Sequence, residues 1–80
     1  MNKQDKNMLT TQVASLDEVK TNLDNYREEQ QEIFDDLSEK EQESEKGARI
    51  AHRIEMLEQA SDSIESAMDN IDQIFSGETP

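Results

Sequence analysis

Cysteine and tryptophan are absent from this chain, and histidine and proline occur once each. Without cysteine there is no disulfide staple, no thiolate metal site and no sulfur redox chemistry, so folding must rest on packing. The one proline is Pro80, and Gly47 and Gly77 are the two glycines, which leaves long stretches free of helix breakers. No alternation of β-branched residues suggests strands. With Tyr26, Phe34 and Phe75 the only aromatics, there is no platform on which nucleic-acid bases could stack. Basic residues are also few: 8 Lys and Arg stand against 20 Asp and Glu, for a formal charge of −12. Such a chain repels phosphates and anionic lipid, which argues against direct binding to nucleic acid or membrane. No apolar run approaches the roughly 18 residues of a membrane span, and no hydrophobic segment follows the polar Met1 to Asn7 as in a secretory signal, so a cytoplasmic location is expected.

What the chain does have is heptad order. One row reads Leu9, Leu16, Leu23, Gln30, Leu37 and a second, three residues later, reads Gln12, Val19, Tyr26, Ile33. These rows predict a first long amphipathic helix with both facing inward. Val13 and Phe34 flank the stripe, with Lys20 and Arg27 between them, so the apolar face is wider than a two-stranded seam needs. The segment DDLSEKEQESEKG breaks the pattern. In it, Ser38 followed by Glu41 has capping-box spacing, Ser44 is a second candidate N-cap, and Gly47 could relax the turn or permit close helix approach. A second helix carries the rows Ile50, Leu57, Ile64, Ile71 and Ile54, Ser61, Met68, Phe75, and should end near Ser76, with Gly77 as its C-cap. The expected organisation is a flexible tail over 1–7, helix 1 over about 8–37, a turn over about 38–46 holding a short helical piece, helix 2 over about 47–76, and a tail over 77–80. The fold class is all-α: an antiparallel, coiled-coil-like two-helix hairpin. Hydrophobic residues are only 31% of 80. One hairpin therefore has little with which to offset chain entropy, and a homodimer forming a four-helix bundle is expected.

Carboxylates are as regularly placed as the core. Glu55, Glu58, Asp62, Glu65, Asp69 and Asp72 step three and four residues along helix 2 with no Lys or Arg among them. Like charges at these spacings destabilise a helix by about 0.2 to 0.5 kcal/mol per pair, and a face kept only for solubility usually mixes signs. The row therefore reads either as a solvated face or as a recognition surface whose field resembles one strand of a DNA backbone. A second cluster, Glu28, Glu29, Glu32, Asp35 and Asp36, extends the charge towards the turn. It is expected to face Lys46, Arg49, His52 and Arg53 across the hairpin.

Other chemistry finds little footing. His52 and Glu55 form a His-x-x-Glu pair, but di-iron and zinc sites need more ligands than this chain supplies, so no metal or other cofactor is expected. His52 is expected to pair with a helix 1 carboxylate near the turn. Neighbouring acids such as Asp35 and Asp36 would need a desolvated cleft to do acid–base work, which a two-helix hairpin does not provide, and no catalytic role is expected. Met8, Met56 and Met68 read as packing residues, Met56 lying off the main stripe.

The stretch EEQQEIFDDLSEKEQESEKG, Glu28 to Gly47, followed by an acidic helix with regular isoleucines, resembles a pattern in small acidic helical proteins encoded by phages and other mobile elements. It departs from that pattern at Leu37–Ser38, where a nearby proline would be expected. Proteins of that kind are mostly of unassigned function, and their mobile-element setting favours an inhibitor of a host nucleic-acid-binding defence protein. Composition and resemblance together favour an acidic protein-binding module that mimics DNA towards a basic protein surface. The alternative is a structural or adaptor coiled coil that docks a partner helix through its apolar stripe. Mimicry should weaken steeply with salt, and apolar docking should not.

Overall fold

The computed structural model describes residues 1–77, and all of its regular structure is helical: α1 (Lys3–Asp36), α2 (Glu39–Gln42) and α3 (Glu45–Gly77). The first helix begins inside the segment expected to be a tail. Asn2 caps it, its side-chain oxygen accepting from the Asp5 N–H at 2.8 Å, and Asp5 adds a favourable charge to the first turn. The expected C-terminal tail, 77–80, begins within α3 at Gly77, and its remainder lies outside the described residues.

The reversal is built as its sequence suggests. Leu37 and Ser38 are extended, and Ser38 then caps the one-turn α2 in a complete capping box with Glu41. The Gln42 amide donates to the carbonyls of Phe34 and Leu37 at 3.0 and 3.3 Å, tying α2 to the end of α1. The Ser44 hydroxyl bonds the Glu41 carbonyl and also accepts from the Gly47 N–H, which starts α3. Glycine is required at 47 for space. A Cβ there would fall on the main-chain carbonyl of Gln42 and lie 2.6 Å from the Glu41 carbonyl oxygen.

From this turn α3 runs back along α1. Gln30 meets Arg53 and Asp24 meets Ser61, each pair bonded at 2.7 Å, so residue numbers rise along one helix as they fall along the other. The resulting rod measures 59 × 16 × 14 Å. Its core is thin. Ile50 and Ile54 are the buried hydrophobic residues, and they are joined by buried Gln30 and Ser61.

The seam differs from expectation on α1. Leu9, Leu16, Leu23, Gln30 and Leu37 do turn inward, but Gln12, Val19, Tyr26 and Ile33 are exposed. Their place is taken by Val13, Lys20, Arg27 and Phe34, four residues after each member of the first row rather than three. Polar pairing within α1 and across the seam accompanies this choice. Lys20 donates to Asp24 at 2.9 Å, Asp24 accepts from Ser61, and Arg53 reaches Gln30. Lys20 and Arg27 lay their aliphatic stems on the seam while their charged ends find partners. No buried side-chain polar atom among the described residues lacks a hydrogen bond. On α3 both expected rows are buried or half-buried.

Candidate functional site

The cross-links between α1 and α3 define two sides of the rod. On one side Arg27 reaches Glu58 at 4.0 Å, and the Lys20 ammonium is held above its ordinary pKa first by its bond to Asp24, with further attraction from Glu65 and Asp62. The acidic row of α3 thus lies on the side to which Lys20 and Arg27 lean. On the other side Arg53 bonds Gln30, which sits one helical turn from both Tyr26 and Ile33. That places the α3 residues reached from Arg53 by steps of three and four, such as Met56, Ala60 and Ala67, beside the exposed apolar row of α1.

All six carboxylates of the row, Glu55, Glu58, Asp62, Glu65, Asp69 and Asp72, are exposed. Stepping through them covers about 25 Å of helix. Glu58 has Arg27 at the limit of ion pairing, and the other five make no ion pair with any described residue. The turn cluster Glu28, Glu29, Glu32, Asp35 and Asp36 is also exposed. Two of its four expected basic partners are engaged elsewhere: Arg49 pairs with Glu45 in its own helix at 3.3 Å, and Arg53 bonds the neutral Gln30. His52 is exposed and makes no bond to an α1 carboxylate among the described residues. For Arg49 the physical reason is spacing along its own helix, where Glu45 lies four residues away on the same face.

One carboxylate outside both groups is electrostatically distinct. Asp24 is held below the usual carboxylate range, first by the Ser61 hydroxyl and then by Lys20. This triad lies at the seam and closes upon itself, so it fixes register between the helices and presents nothing to a ligand. Glu41 is likewise lowered, by the Ser38 backbone N–H and hydroxyl of the capping box. Sequence reading missed the Lys20–Asp24–Ser61 triad. A serine inside the isoleucine row of α3 was the available signal, since a polar residue in a core row calls for a partner.

Arg49, His52, Arg53 and Met56 line a shallow open depression on α3. Among the described residues no group of three or more His, Asp or Glu could hold a metal ion, and no helix is long and apolar enough to cross a membrane. Comparison with protein-family models, curated proteins and solved structures finds nothing that matches this chain.

Proposed function

We propose that this chain is an acidic protein-binding module that acts as a DNA mimic, offering the α3 row to the basic groove of a nucleic-acid-binding protein. The working unit is an antiparallel helical hairpin, paired with a second copy as a four-helix bundle. The observation that carries the reading is segregation of charge. Acidic side chains meant only for solubility would be spread over every exposed surface, whereas here six line one flank in unbroken succession and the opposite side is nearly without them. Their spacing along α3 gives a basic groove the dense negative field it meets on duplex DNA, with the same counterion release as a driving force. The cluster Glu28, Glu29, Glu32, Asp35 and Asp36 continues that field towards the turn. The resemblance to small acidic proteins of phages and mobile elements supports a host defence protein as the target.

The test is capture from a host extract at two salt concentrations, followed by elution with duplex DNA. Mimicry predicts that the retained protein is released by DNA and by salt. Asp62→Lys with Glu65→Lys should abolish retention, and Asp17→Lys with Glu18→Lys should not. Retention that ignores salt and DNA, or that survives the first double substitution, would refute the assignment.

A further inference from the structure

The surface opposite the acidic row follows one rule. Stepping four and three residues from Met8 to Ile33 on α1, and from Arg49 to Ile74 on α3, traces a face whose only charged members are Glu29, Arg49 and Arg53. In a chain where 20 of 80 residues are carboxylates, one acid on a whole face is a pronounced depletion. The same face holds every large hydrophobic residue that is exposed within the helices: Met8, Val19, Tyr26, Ile33, Met56 and Ile74 are each at least 41% exposed. Isolated apolar residues on a surface need no explanation, but six on one face do.

Area gives the scale of what is missing. The chain exposes 5940 Å², whereas a compact monomer of 9.2 kDa would expose about 4,900 Å². The difference, about 1,000 Å², is close to the roughly 800 Å² that each partner contributes to a standard interface.

We infer that this carboxylate-poor face is the dimerisation surface, and that its occupant is a second copy of the same chain related by a two-fold axis along the rod. The inference rests on the pairing included in the proposed function and adds the face and register. A chain of charge −12 can approach itself closely only where its carboxylates are few, and this face, with Glu29 alone, meets that condition. The axis lays each α1 over the α3 of the second copy, antiparallel and at the same level, because Gln30 and Arg53 already mark one level within the chain. Bulky Val19 and Tyr26 then stand over Ala60, Ser63 and Ala67. Glu29, the one acid of the face, comes to the level of Arg53 of the second copy. The acidic rows point outward on both sides of the bundle, free for another protein.

Sedimentation equilibrium of the full chain tests this, with circular dichroism to follow helicity. The wild type should be a dimer at tens of micromolar, with a melting temperature that rises with protein concentration. Ala60→Glu and Tyr26→Glu change residues that the single chain leaves exposed, and each should weaken self-association by about a hundredfold or more. Asp62→Lys, on the opposite flank, should not. Register is read by mixing: Glu29→Arg chains and Arg53→Glu chains should each pair poorly alone and well together, because only the mixture restores opposite charges across the interface. A helical wild-type monomer with a concentration-independent melt would overturn both pairing and face. A dimer that withstands Ala60→Glu and Tyr26→Glu would overturn the face while leaving pairing intact, and failure of the mixture to recover would overturn the register. None of these results depends on the acidic row binding a partner.

Discussion

Replacing Gly47 by alanine sets two effects of known size against each other. In an open helix the change would stabilise, since alanine is favoured over glycine by about 1 kcal/mol. At position 47 the added Cβ would overlap the Gln42 carbonyl oxygen and lie 2.6 Å from both the Gln42 carbonyl carbon and the Glu41 oxygen. Each of these atoms is main chain, and none can swing aside as a side chain would. Relief requires α2 to lift away from α3, which strains the bonds from the Gln42 amide to the Phe34 and Leu37 carbonyls. Overpacking of this kind costs about 1 to 3 kcal/mol, and each strained bond adds about 0.5 to 1.5 kcal/mol at most. The expected net is destabilisation by about 1 to 3 kcal/mol, or roughly 4 to 8 °C in melting temperature per kcal/mol for a chain of this size. Thermal and urea denaturation at one fixed protein concentration would measure it. Gly77→Ala is the internal control, because a Cβ there meets nothing within 4 Å. If Gly47→Ala is as stable as the wild type or more so, α2 does not sit against α3 as described.

Three further outcomes are expected. Gln30→Leu should stabilise the chain by about 1 kcal/mol in denaturant titrations, since a leucine would extend the buried row while exposed Arg53 turns to water. Ser61→Ala should raise the Asp24 pKa towards the ordinary carboxylate value in an NMR titration. Because that pKa is depressed in the folded chain, its stabilisation is present above the unfolded value of about 3.9 and is lost as pH falls through the folded one. The stability gap between wild type and Ser61→Ala should therefore narrow in acid. Lys20 has the opposite sign: its raised pKa contributes below the unfolded value and is lost as pH rises through the folded one. Asp69→Lys with Asp72→Lys should raise the melting temperature slightly, at about 0.2 to 0.5 kcal/mol per relieved pair. These positions test repulsion more cleanly than Asp62 and Glu65, which also attract Lys20.

Local signals in the sequence translated directly into structure. Ser38 and Glu41 form their capping box, the short helix falls inside the turn, and α3 turns both of its apolar rows inward. The inner face of α1 was harder to read, because two rows compete to accompany Leu9, Leu16 and Leu23. Counting apolar residues favours Val19, Tyr26 and Ile33 over Lys20 and Arg27. In the structure Lys20 bonds Asp24, and Asp24 in turn has a partner in Ser61, 37 residues further on; hydropathy along one helix carries no information about such a pairing. The same limit applies to the turn, where Arg49 and Arg53 found Glu45 and Gln30 rather than the α1 carboxylates. The position of the acidic row follows from heptad spacing alone, whereas the side of the rod it occupies needed the cross-links from Arg27 and Lys20.

The uneven seam has a kinetic consequence. Gln30, Gly47, Ile50, Ile54 and Ser61, the buried residues, all lie in the half of the rod nearer the turn, while Leu9, Val13, Ile71 and Phe75 at the far end are only half-buried. Each successive pair from the turn outward also closes a longer loop, from 23 residues at Gln30 and Arg53 to 37 at Asp24 and Ser61. Such a molecule should zip from the turn and unzip from its ends. Amide protons around Ile50 and Ile54 should exchange with solvent only through full unfolding, and those near Val13 and Ile71 through partial opening. Binding to the open half would then slow exchange there most, so an occupant of that half would act as a fastener on a zipper whose other end is already closed.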